Sequence, residues 1–283
     1  MELKETVKTR FKTDWRISMR NILFSLAALL LGMSVAQAKV VGEEVSYTDK
    51  GVTMKGYLAY DKHIKGKRPG ILVVHEWWGH NDYARKRALL LAGMGYTALA
   101  VDMYGDGKTA NHPDDAGKFA AEVSKNMPMA KSRFEAAMKT LKKHPSVAGD
   151  QIAAIGYCFG GSVVLNMARQ GVDLKGVASF HGSLATDAPA AKGKVKAKVA
   201  VYTGADDPMV PKSQVQSFTK EMDAAGVEYR VASFPGVKHS FTNPAADEYG
   251  KQFKLPLAYN AEADVDSWKQ LSDFLEELFG KRE

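Results

Sequence analysis

The chain has 283 residues, of which 45% are hydrophobic and 25% charged, an ordinary globular composition sufficient for one large α/β domain or two small ones. The formal charge is +7, but six basic and three acidic residues fall in the first 38 positions, which leaves +4 for the remainder. An excess this mild is not a nucleic-acid footprint, and a single cysteine, Cys158, excludes an internal disulfide and any multi-cysteine metal site.

Taken in order, residues 1–18 read as an upstream extension, with Met19 the more usual start. Arg20 then precedes an uncharged apolar stretch from Ile22 to Val35, and Ala36-Gln37-Ala38 places small residues at both positions a signal peptidase reads. This pattern predicts a secretory signal cleaved after Ala38 and a secreted or periplasmic mature chain of residues 39–283, with no stable membrane span after cleavage. The apolar stretch is shorter than the roughly 20 residues a transmembrane helix needs.

Val40–Tyr47 and Val52–Tyr60 alternate and are joined by Thr48-Asp49-Lys50-Gly51, an antiparallel hairpin. Lys62–Pro69 reads as a solvated basic loop. Gly70–His75 and Thr97–Asp102 are continuous apolar runs of the kind buried on both faces, and Tyr83–Met94 between them has helical spacing closed by Gly95. Helices are predicted over Pro113–Ser124 and Met129–Lys143, then a strand over Gln151–Ile155 and a helix beginning near Phe159. Gly176–Phe180, Lys198–Gly204 and Tyr229–Phe234 follow as strands, with helices over Lys212–Ala225 and Val265–Phe279. The basic run Lys192–Lys198 reads as a surface loop. Alternating strands and helices from residue 70 onward predict one domain, with a mostly parallel central sheet covered by helices on both faces.

The segment GYCFGG, residues 156–161, joins a strand to a helix through one sharp turn with cysteine at its tip. The turn forces the cysteine into strained backbone angles, and glycine two residues to either side lets strand and helix approach. The new helix points unpaired N–H groups and its positive dipole end at the sulfur, which favours a thiolate. Chemistry in open α/β sheets sits at the carboxyl ends of strands. There, in the order nucleophile, acid, histidine, the sequence offers Cys158, then Asp206-Asp207, then His239. His239 is the candidate base, and one of the two acids orients it. The two oxyanion donors are expected to be the backbone N–H groups of Phe159 and of Trp77. His75-Glu76-Trp77-Trp78-Gly79-His80 has the wrong spacing for the helical H-E-x-x-H zinc motif, so no metal is expected.

HEWWG (75–79), GYCFGG (156–161), GADDPMVP (204–211) and HSF (239–241) together resemble the dienelactone hydrolases of the α/β-hydrolase superfamily, over about residue 40 to the C-terminus. The resemblance implies the α/β-hydrolase fold and a Cys158–Asp207–His239 triad, the G-x-x-D phase selecting Asp207 over Asp206. It also implies that Glu76 contacts the resting thiol, and that no cofactor is needed. The lactone-cleaving members hold a substrate carboxylate with two arginines, and the matching positions here are Gly105 and Asn243. A small ester, lactone or thioester is therefore the expected substrate class, and the alternative on the same fold is a non-catalytic small-molecule-binding protein. Trp78, Tyr104, Tyr157, His181 and Phe241 are expected to line the pocket.

Overall fold

The computed structural model describes residues 39–281; the expected leader, residues 1–38, lies outside the described residues. β1 (Val40–Asp49) and β2 (Val52–Asp61) form the predicted hairpin, with Asp49 opposite Val52 and a two-residue turn at Lys50 (φ 46°) and Gly51 (φ 85°). Both turn residues lie in the left-handed region, the backbone twist that matches flanking strands. β3 (Arg68–Val74), β4 (Thr97–Val101), β5 (Val147–Tyr157), β6 (Gly176–Phe180), β7 (Lys198–Gly204) and β8 (Tyr229–Phe234) complete one eight-stranded sheet. Its order is β1-β2-β4-β3-β5-β6-β7-β8; β1–β2 and β2–β4 pair antiparallel and every other pair is parallel.

Successive strand side chains point to opposite faces, and two cores result. Leu72, Val74, Ile152, Val177 and Val201 face one layer, where α2 (Pro113–Ser124), α3 (Met127–Lys143), α4 (Phe159–Arg169) and α5 (Lys212–Ala225) pack through residues such as Phe134, Val164 and Phe218. Ile71, Val73, Ile155, Ala178 and Tyr202 face the other, covered by α1 (Asp82–Gly93) and α7 (Ala261–Phe279) through Leu91, Leu271 and Phe274. All residues of β3, β4 and β6 are buried, which is why these stretches read as unbroken apolar runs.

Several boundaries differ from expectation, those of β3, β5 and α7 with a visible cause. β3 begins at Arg68 and β5 at Val147, because Arg68 pairs with Val147 across an irregularity before Gly70 and Ile152 take up the regular register. α7 begins at Ala261, since Asn260 caps it by accepting the Ala263 N–H. α6 (Ala246–Phe253) was not anticipated. It buries Ala246 alone, so no apolar stripe announces it, and its Tyr249 and Phe253 rings pack on Trp78. After β3 the chain moves to β4 on one side and then to β5 on the other. The crevice at this reversal, beyond the carboxyl ends of β3 and β5, is where such sheets bind ligands.

Candidate active site

Cys158 stands at the end of β5 and caps α4, with φ 52° and ψ −115°. A Cβ at Gly156 would collide with the Gly160 carbonyl, and one at Gly160 with the Val74 carbonyl, so neither strand-to-helix contact tolerates a side chain. His181 (φ 42°) and Ser240 (φ 57°) are also in the left-handed region. Non-glycine residues in such conformations cost about 1–3 kcal/mol each and collect where the surrounding structure holds them for function.

His239 follows β8, and its carbonyl accepts a hydrogen bond from the Ala258 N–H. Its Nε2 lies 3.2 Å from Cys158 Sγ and its Nδ1 2.7 Å from Asp207 Oδ2. The second Asp207 oxygen accepts the Met209 N–H at 2.8 Å. Of the two adjacent acids, Asp207 is buried against the imidazole and Asp206 is exposed. Burial pulls the His239 pKa down, but the neighbouring Cys158 sulfur and the hydrogen bond to Asp207 outweigh it and raise the value to about 10. The surroundings therefore favour the protonated form of His239.

The Phe159 N–H is the first of α4 and has no helical acceptor, and the Trp77 N–H has no acceptor among the described residues either. His75 Nδ1 sits 2.6 Å from the Glu76 carbonyl, and the Gly79 N–H donates to the same oxygen. Because the peptide is trans and planar, holding that carbonyl turns the Trp77 N–H the opposite way. His75 Nε2 in turn accepts the Met103 N–H, so both ring nitrogens are committed to the backbone. Among the described residues no group of His, Cys, Asp or Glu is arranged to hold a metal ion.

Glu76 does not meet the expectation drawn for it. Its Oε1 accepts from Ser240 Oγ at 3.1 Å and its Oε2 from Asn243 Nδ2 at 2.5 Å, while the thiol has His239 as its partner. Burial pushes the Glu76 carboxyl up from its usual range, against the pull of these two hydrogen bonds. Asn243, one of the two positions that correspond to substrate-binding arginines, thus serves Glu76. The sequence named Ser240 and Asn243, one in the HSF segment and one as an arginine-matching position, but gave no sign that both serve Glu76, beyond their place within four residues of His239.

The pocket expectation is also corrected. Trp78, Tyr104, Tyr157, His181 and Phe241 are all at most 3% exposed. Large rings gain more by closing the core than by facing a cleft. Tyr157 stacks on Phe180 at 4.8 Å, Trp78 packs on Tyr249 at 4.4 Å, and the Tyr104 hydroxyl donates to the Trp77 carbonyl. His181 is held behind His239 by Thr242 Oγ1, 2.7 Å from its Nε2, and burial followed by the His239 charge depresses its pKa well below the ordinary value. Thr242 itself is fixed by Tyr83 at 2.6 Å and, through its carbonyl, by Arg87. The cavity that does open at Cys158 measures about 230 Å³ and is lined by Trp77, Ala120, Phe159, Met209 and Val210 beside Cys158 and His239.

A model of the family described as "Dienelactone hydrolase family" matches residues 54–279. The chain is 27% identical over 224 residues to "Protein usf" of Aquifex pyrophilus, covering 78% of this chain and 95% of that protein. It is 25% identical over 238 residues to a putative carboxymethylenebutenolidase of Aquifex aeolicus, covering 83% and 97%. Among solved structures, a dienelactone hydrolase-like promiscuous phosphotriesterase from metagenomic libraries superposes with a TM-score of 0.80 at 34% identity, covering 85% of this chain and 99% of that one.

Proposed function

The chain belongs to the dienelactone hydrolase family, and from that premise we propose that it is an exported hydrolase of small carboxylic esters, lactones or thioesters with Cys158 as nucleophile. The observation that carries the reading is the continuous alignment of Cys158 Sγ, His239 and Asp207, at 3.2 and 2.7 Å. The carboxymethylenebutenolidase name of the Aquifex aeolicus relative supports the lactone part. The Arg20-to-Ala38 pattern supports export.

In this reading the Cys158 thiolate attacks the carbonyl carbon, and the oxygen that becomes negative is met by the Phe159 and Trp77 N–H groups. The tetrahedral adduct collapses as the carbon–oxygen bond to the leaving group breaks and His239 Nε2 gives its proton to the departing alkoxide. The thioester that remains is cleaved by water, which loses a proton to the now neutral His239. The second collapse releases the acid and regenerates the thiolate beside an imidazolium. Asp207 holds Nδ1 protonated throughout and stabilises the cation. The cavity at Cys158 is apolar on most of its wall, which suits a compact acyl or aryl group.

The test is a rapid-mixing experiment with an activated aryl ester. A burst of chromophore should match the enzyme concentration, and mass spectrometry should place the acyl group on Cys158. Iodoacetamide should abolish both. Cys158→Ala with near wild-type turnover would overturn the assignment.

A further inference from the structure

Cys158, Ser162, Asn166 and Gln170 stand four residues apart along α4 and its C-terminal cap. Residues at this spacing share one helix face. The stripe starts at the nucleophile and continues, in small polar side chains, to the far end of the helix, about 18 Å away at 1.5 Å per residue. An apolar stripe here would bury itself on the sheet, as Val163, Val164 and Met167 do. This one instead forms the floor of a second cavity of about 660 Å³. That cavity shares Ser124, Ser162 and Ser183 with the 230 Å³ cavity at Cys158, so the two adjoin along these three residues.

The walls are polar without a bare charge near the floor. Ser162 Oγ donates to the Ser183 carbonyl at 3.0 Å, and Asn166 Oδ1 accepts from Arg169 and Thr186. The Arg169 guanidinium is spent on Glu221, Nε to Oε1 at 2.8 Å and Nη2 to Oε2 at 2.9 Å. Gln170 Nε2 is a buried donor with no partner among the described residues. The Gln170 side chain borders the cavity, and a turn of its amide that brought this donor to a ligand oxygen would recover the about 1–3 kcal/mol that a buried N–H without an acceptor costs. Asp187 and Lys194, of opposite sign, occur together on the exposed rim. A ligand carboxylate would gain from one and lose to the other.

We infer that this cleft is an extended substrate subsite that takes a neutral, oxygen-bearing chain, hydroxylated or ester-linked, running from the scissile carbonyl along α4 toward Gln170. The inference rests on Cys158 as the nucleophile and adds the length and polarity of the substrate. A compact lactone fills only the apolar end, whereas an ester carrying such a chain also places acceptors at Asn166 and Gln170.

The experiment uses the whole mature protein and two matched ester series, one varying the acyl chain and one the alcohol. Each series contains a short alkyl ester, a neutral oligo(ethylene glycol) chain of about 18 Å, the length α4 sets, and a carboxylate-ended chain of equal length. In one series the neutral long chain should raise kcat/KM about tenfold over the short ester, the worth of one or two net hydrogen bonds, chiefly through KM. Gln170→Leu should bring that ratio toward one. Equal kcat/KM within both series, a ratio untouched by Gln170→Leu, or preference for the carboxylate-ended chain overturns the inference. Absence of turnover on the activated aryl ester of the rapid-mixing test is a different failure, that of the nucleophile assignment. In that case tetra(ethylene glycol) is titrated into the Cys158→Ala protein and the thermal midpoint followed. A rise that Gln170→Leu abolishes sustains the subsite, and no rise overturns it.

Discussion

Asn243 Nδ2 donates to Glu76 Oε2 at 2.5 Å, and this contact decides what the buried carboxylate does. With Ser240 on the other oxygen, Glu76 is occupied by the loop that carries His239 rather than by the thiol. The site therefore holds two separate buried acid arrangements, Asp207 on the imidazole and Glu76 on the histidine loop. Substitutions at the two acids should accordingly have different signatures.

Glu76→Gln keeps both hydrogen bonds, since its carbonyl can accept from Asn243 and its amide can donate to the Ser240 hydroxyl. It also removes a charge that burial disfavours, as the raised carboxyl pKa records. The thermal midpoint at pH 7 should rise, by roughly 2–4 °C for each kcal/mol gained. Asn243→Leu leaves Oε2 buried without its donor and should lower stability by about 1–3 kcal/mol. Calorimetry on the two variants checks both signs. A midpoint for Glu76→Gln below wild type would show that the carboxylate is better compensated than its partners suggest.

Asp207→Asn should lose on the order of 10² to 10⁴ in kcat, because the amide favours the wrong imidazole tautomer. Asp206→Asn, at an exposed side chain, should lose no more than about tenfold. Both are measured on one activated ester, with circular dichroism confirming the fold. A larger loss at Asp206 would reverse the assignment, and equal small losses would reduce the machinery to Cys158 and His239.

The pH dependence of stability should have two limbs of opposite origin. His239 is raised from 6.5 to about 10 in the folded protein, so its contribution is full below pH 6.5 and is lost as pH rises through 10. Cys158→Ala removes the sulfur that contributes to raising His239 and should flatten this alkaline limb. His75, His80 and His181 are depressed by burial, His80 to about 3. The unfolded chain binds protons at these residues below pH 6.5 and the folded chain does not. Their contribution is thus full above pH 6.5 and declines as pH falls. Thermal midpoints from pH 4 to pH 11, for wild type and Cys158→Ala, test both limbs. An alkaline limb identical in the two proteins would contradict the ion-pair account.

Under the proposed export, the mature protein should begin at Lys39. N-terminal sequencing of the periplasmic or secreted fraction is the measurement, and recovery of chains beginning at Met1 or Met19 in a soluble cytoplasmic fraction would refute export.

What the sequence determined by itself was whatever depends on local backbone demands and chain order. The runs Ile71–Val74 and Thr97–Val101 are buried on both faces, so their apolar content alone identifies them as central strands. Gly156 and Gly160 reveal the elbow because no other residue fits between strand and helix there. The order nucleophile, acid, histidine follows from strand succession, since Cys158, the Asp206-Asp207 pair and His239 each stand just beyond a strand end; the family resemblance, not the order, singled out Asp207. Tertiary structure decided what those strand ends face. Tyr157, Phe241 and Trp78 look the same in sequence whether they line a cleft or close a core, and only the packed neighbours Phe180 and Tyr249 show the latter. The partners of Glu76 lie 164 and 167 residues away, beyond any local pattern. The polar stripe from Ser162 to Gln170 was present in the sequence throughout. It became a cleft floor only when the segment after β6 and the α2–α3 junction rose on either side of α4, because a helix face acquires a role from what stands opposite it.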